Sequence, residues 1–193
     1  MQLSGRRSLR NLAFVTVVIF SIIPILCGSS VFADNTITLE SGAIYTGSLW
    51  EGIPHGHGEV YWPDDSVYSG EFNMGFMHGN GILAFGNGDK YEGAFEYGYR
   101  SGKGIMSYAN GDTYNGDWFL DKMHGNGKYT FHTPDPAFPK KNDVYSGGWS
   151  LNMMHGKGQY TFANGKSQSG YWVHNEYRGS KLTDEIKRAI GEP

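Results

Sequence analysis

Four histidines, His55, His78, His124 and His155, each open a His-Gly-x-Gly run, and such recurrence invites a ladder of metal ligands. Geometry opposes it. Residues at one place in successive hairpins lie two strands apart, about 9.6 Å, whereas Zn–N bonds are about 2.0–2.1 Å. His55 and His57, two apart on one strand face, would chelate only with help from a third side chain. These histidines read instead as turn-flanking side chains that hydrogen-bond local backbone. The carboxylates Asp64, Asp65, Asp89, Asp112 and Asp143 fall in or beside turns, where Asp accepts backbone N–H groups. Glycoside hydrolysis needs two carboxylates across a cleft at a set separation, and no pair stands outside the repeat. A serine nucleophile elbow and a phosphate loop are absent from the sequence. No catalytic, cofactor-binding or metal residue is assigned, and the chain reads as a non-enzyme.

What remains is binding chemistry. Tyr45, Tyr68, Tyr91, Tyr114 and Tyr145 recur as candidate partner-binding rings lining a groove. Phe138 beside Lys140 and Lys141 forms a candidate hook in an insertion. Protein is the first choice of partner. A glycan stacking on the rings is the second, and lipid attachment through Lys122, Lys128, Lys140, Lys141 and Lys157 is the third. Nucleic acid is excluded for the stretch 34–99, which carries ten acids and one base, Lys90.

The elements that hold these residues follow from composition. The 193 residues include 29 Gly, 13 Tyr, 11 Phe and 5 Trp. Glycine at twice its usual share excludes a helical bundle, and so many rings exclude simple disorder. The only cysteine, Cys27, lies in a distinct leading segment. There Arg6, Arg7 and Arg10 precede an apolar run from Leu12 to Leu26, and Val31-Phe32-Ala33 offers a small-residue cleavage site before Asp34. Residues 1–33 therefore read as an export signal, or as an uncleaved N-terminal anchor. The expected setting is the periplasm, the cell envelope or the exterior, and without Cys27 the mature chain has no thiol for a disulfide.

Tyr45, Tyr68, Tyr91, Tyr114 and Tyr145 start similar units spaced by 23, 23, 23 and 31 residues, and Gln168 starts a partial sixth. A glycine follows two residues on (Gly47, Gly70, Gly93, Gly116, Gly147). A ring follows four on in all but the first (Phe72, Phe95, Trp118, Trp149). Positions 0, 2 and 4 share one strand face, the intervening residues are mostly polar, and each unit reads as a hairpin with one apolar face. Asn87-Gly88 and Asn110-Gly111 signal tight turns with both central residues at positive φ. The expectation is an all-β protein, an elongated single-sheet meander of about eleven antiparallel strands over 34–180, with open edges that would let copies pair end to end. Residues 132–143, with Pro134, Pro136 and Pro139, contain the insertion. Residues 181–193 form a tail in which Leu182, Ile186 and Ile190 recur every four residues, an amphipathic helix covering the last hairpin.

Tyr-x-Gly-x-aromatic, then His-Gly-x-Gly, then a ring before Asn-Gly, every 23 residues, resembles the MORN repeat. The likeness covers about 36–180. Asp121 and Asn152 depart from the glycine usual seven residues into the unit, Ser101 replaces His, and Gln168 replaces Tyr. The resemblance implies binding and scaffolding, with lipid attachment assigned to some members.

Overall fold

The structure, a computed structural model, describes residues 35–132 and 142–192. The leading segment 1–33, read above as an export signal or anchor, and the hook residues Phe138, Lys140 and Lys141 lie outside the described residues. Among the described residues thirteen strands follow in chain order: β1 (Asn35–Thr38), β2 (Ile44–Trp50), β3 (Ile53–Tyr61), β4 (Val67–Asn73), β5 (Phe76–Ala84), β6 (Lys90–Glu96), β7 (Tyr99–Ser107), β8 (Thr113–Phe119), β9 (Lys122–Thr130), β10 (Val144–Ser150), β11 (Met153–Thr161), β12 (Ser167–Val173) and β13 (Glu176–Gly179). The sheet is an antiparallel meander with the strands in sequence order. The strand count exceeds the expected eleven because the partial units also pair: β1 with β2, and β12 with β13.

Contacts divide the chain into two compact units. The first comprises residues up to Gly86 together with Phe95–Gly98, and the second Asn87–Ala94 with Tyr99 onward. In both, tyrosine and glycine explain one another. Tyr68 lies across Gly70 and Gly81, which face each other on β4 and β5, and a methyl group on either glycine would collide with its ring. Tyr114 lies in the same way over Gly116 and Gly127. Where a ring stands four residues into a repeat, it packs edge-on as a wedge against these tyrosines. In the first unit Phe72 meets Tyr45 at 5.0 Å and Tyr68 at 5.1 Å, and Tyr68 meets Phe95 at 5.0 Å. In the second the chain runs Tyr91–Trp118–Tyr114–Trp149–Tyr145–Trp172, with centroids 5.2 to 5.4 Å apart. Such edge-to-face pairs contribute about 0.5–1.5 kcal/mol each beyond area burial.

Two kinds of turn join the strands. At the ring-Asn-Gly turns the expectation of two positive-φ residues fails. Gly111 has φ 91° but Asn110 does not join it, and the closing bonds run from the Gly111 N–H to the Tyr108 carbonyl and from the Tyr108 N–H to the Asp112 carbonyl. This is a three-residue loop with one left-handed residue. The paired positive φ values sit at the other edge, at Glu51–Gly52, Met74–Gly75, Tyr97–Gly98, Leu120–Asp121, Leu151–Asn152 and His174–Asn175.

The insertion leaves this frame unchanged. The Asn142 N–H donates to the Phe131 carbonyl and the Phe131 N–H to the Asp143 carbonyl, the same closure as at 108–112. The tail forms α1 (Asp184–Ile190). Thr183 caps its start, with the side-chain oxygen accepting from the Ile186 N–H at 3.2 Å, and Gly191 ends it at φ 77°. Ile186 is buried, and α1 packs against β12.

Candidate functional site

Tyr45, Tyr68, Tyr91, Tyr114 and Tyr145 are 0% exposed. Their hydroxyls donate to backbone carbonyls three residues on: Ser48 (2.6 Å), Glu71 (2.9 Å), Ala94 (2.9 Å), Asp117 (2.8 Å) and Gly148 (3.1 Å). Burial raises the Tyr45 phenol to about 12 and pushes the other four up as well. The sequence-based reading of these five as partner-contacting rings is therefore corrected. They are core, with each ring face closed by glycine backbone and by a wedge ring, and they offer a glycan no stacking platform.

The repeat histidines also differ from expectation. The Nδ1 atoms of His78, His124 and His155 are buried without a hydrogen-bond partner. The rings pack against other rings instead: His78 on Tyr97 (5.8 Å), His124 on Phe119 (5.6 Å) and His155 on His174 (5.2 Å). Burial lowers the His155 pKa, neighbouring His174 lowers it further, and a hydrogen bond to the Ile190 carbonyl opposes both. His155 thereby touches the end of α1. Among the described residues no three His, Cys, Asp or Glu side chains are grouped so as to hold a metal ion.

The carboxylates do what turn Asp residues are expected to do, and they reach one unit further. Asp89, Asp112 and Asp143 accept the backbone N–H of Ala109 (2.8 Å), His132 (2.5 Å) and Ala163 (2.7 Å), each 20 residues on. Ser66 holds the Gly86 N–H in the same way at 3.1 Å. Asp112 also receives the Tyr129 hydroxyl, and the fully buried Asp143 receives that of Tyr160.

On the opposite edge, the departures from glycine prove to be clamps. Asp121, Asn152 and Asn175 adopt φ of 67°, 73° and 73° and accept the N–H of Arg100 (2.9 Å), Met123 (2.8 Å) and Met154 (2.7 Å). Arg100 occupies a place otherwise held by Pro54, Met77, Met123 and Met154. Its guanidinium pairs with Asp121 at 3.2 Å and lies 4.4 Å from the Trp118 ring centre.

Large apolar residues left exposed fall on strands, at Ile44, Tyr61, Ile82 and Ile105, and at these tight turns. Trp50, Met74, Tyr97, Phe119, Leu120 and Leu151 are exposed there, in or next to the tight turns. Sequence reading missed them because they follow no fixed residue type. The signal that could have found them is a large apolar residue at a turn position that favours Asn or Gly.

Among solved structures, the chain is similar to the TCP domain of SAS-4 from Drosophila melanogaster in complex with a proline-rich motif, at 12% identity and a TM-score of 0.43, over 79% of this chain and 86% of that one. No curated protein matches. The MORN repeat matches at residues 45–67, 68–90, 91–113, 114–133 and 145–167, and its boundaries open on the five tyrosines that start the units. With more than half its length matched, the chain belongs to the MORN repeat family.

Proposed function

We propose that this chain is a non-catalytic protein-binding module that works outside the cytoplasm, in the cell envelope or beyond it. The observation that carries the binding reading is the division of labour within each unit. Repeated tyrosines, glycines and wedge rings are spent on the core, while variable apolar residues such as Met74, Tyr97 and Leu151 are held exposed at the turns. Exposed apolar rows rimmed by polar residues serve protein contacts. Arg6, Arg7 and Arg10 ahead of the apolar run to Leu26, followed by Val31-Phe32-Ala33, support export. The buried tyrosines weigh against glycan stacking. A lipid-attachment reading gains little from the second unit, whose described residues hold eleven Lys and Arg against ten Asp and Glu.

Photo-cross-linking in the producing cell tests the module, with a benzophenone amino acid placed at Tyr97 or Phe119 of the full chain. Discrete protein adducts are expected, and none at either position would refute the reading. N-terminal sequencing of the recovered protein tests export. A start at Asp34 is expected, whereas an intact leader on cytoplasmic protein overturns the proposed setting.

A further inference from the structure

Tight two-residue turns with both φ values positive favour Asn-Gly, because a bulky side chain at the first position is strained there. The first unit places Glu51, Met74 and Tyr97 at that position, with φ of 51°, 50° and 48°. Met74 is 47% exposed, Tyr97 62%, and Trp50, next to Glu51, 49%. The turns lie side by side, since the Gly75 N–H donates to the Pro54 carbonyl and the Gly98 N–H to the Met77 carbonyl, each at 2.9 Å. Tyr97 is braced by Phe76 at 6.4 Å and by His78, so its exposed ring is already fixed in place. Backbone strain kept under exposed apolar side chains points to use rather than to packing.

Charge identifies the user. The described residues of the first unit include seven carboxylates and no lysine or arginine, and Glu51 and Glu96 stand exposed in the same turns as the apolar residues. We infer that the edge formed by Trp50, Met74 and Tyr97 docks an extended cationic segment of a partner protein, with Leu or Phe side chains spaced between Lys and Arg. This rests on the protein-binding reading above and names its surface and partner chemistry. The thioether of Met74 between two rings suits apolar side chains of varied shape better than it suits a sugar. A second copy of this chain is the weaker occupant, because the second unit's cations are almost balanced by its own acids.

Fluorescence anisotropy of the full chain, with a labelled 12-residue peptide alternating Lys or Arg with Leu or Phe, tests the inference. Saturable binding that weakens with added salt is expected. Replacing both Trp50→Ser and Tyr97→Ser should weaken it by roughly tenfold or more. A control on a strand face of the second unit, Ile105→Ser, should leave it unchanged. Equal affinity in the first-unit variant overturns the surface. Equal binding of a peptide with Glu for Lys and Arg, or displacement by a neutral β-1,4-linked hexasaccharide, overturns the partner chemistry. Sedimentation showing self-association that Trp50→Ser abolishes would make a second copy the occupant and overturn the proposal. No saturable peptide binding by the unaltered chain, with in-cell protein adducts present, would sink this inference and spare the binding module. Absence of both would sink both.

Discussion

The two units follow one repeat and solve its closure differently. In the first, wedge rings are phenylalanines, the second turn residue is glycine at Gly52, Gly75 and Gly98, and one hydroxyl, that of Ser66, ties a turn forward. In the second, wedge rings are tryptophans. Trp118 and Trp149 donate to the Gly104 and Gly127 carbonyls at 3.2 Å, and Asp121, Asn152 and Asn175 clamp the preceding strand. Carboxylates replace serine in the forward latch. The difference teaches that the same tyrosine–glycine packing supports the hairpin frame under two different sets of polar ties. Polar stitching at the turns is heavier in the second unit, and the first, which has less of it, keeps its tight turns acidic and apolar.

The largest expected effect comes from breaking the latch at its most buried point. Asp143→Ala strands the Ala163 N–H and the Tyr160 hydroxyl and should cost about 3 kcal/mol. Ser66→Ala, at the matching place in the first unit, should cost about 1 kcal/mol or less. Equal losses in urea unfolding would erase the contrast between the units.

Next comes an exchange of clamps. Asn152→Gly should lose about 1 kcal/mol with its bond to the Met123 N–H. Gly98→Asn should gain a few tenths to about 1 kcal/mol, because its Cβ would meet only Phe76 at 3.8 Å and an amide oxygen there could reach β5. A destabilised Gly98→Asn protein would show that the first unit cannot accept the second unit's device.

The smallest effect is one of pH. His155 has a lowered folded pKa, so the unfolded chain binds the proton first as pH falls. Its contribution is full above the ordinary value of about 6.5 and is lost as pH falls through the lowered folded value. Hydrogen exchange of the α1 amides should therefore quicken on acidification through that window, and His155→Gln should flatten the response. An unchanged pH response in that variant would place the linkage elsewhere.

Much of this fold was legible because a 23-residue period makes every unit a repeat of the same measurement. Tyr68 and Tyr114 could be placed on the apolar face by parity alone, and Leu182, Ile186 and Ile190 marked the closing helix. Parity gives a face, however, and not its depth. That five tyrosines are sealed rather than lining a groove depends on Phe and Trp wedges arriving from the next repeat, which one repeat's sequence does not state. The clamps were hidden for a related reason. Asp121 and Asn152 looked like lapses from glycine because their partners, Arg100 and Met123, are 21 and 29 residues away. Met74 and Tyr97 escaped notice because turn chemistry, and not hydrophobic period, makes them unusual.

The closure around residues 133–141 also bears on how such a chain changes over time. The two hydrogen bonds that link Phe131 with Asn142 and Asp143 repeat those of an uninterrupted turn, so the sheet registers only the ends of what is inserted. Doubling the length of such a loop costs only about 0.6 kcal/mol in closure entropy. The ring-Asn-Gly turns are thus ports through which the array can acquire new peptide, and with it new binding specificities, while the barcode of tyrosines and glycines on either side stays in phase.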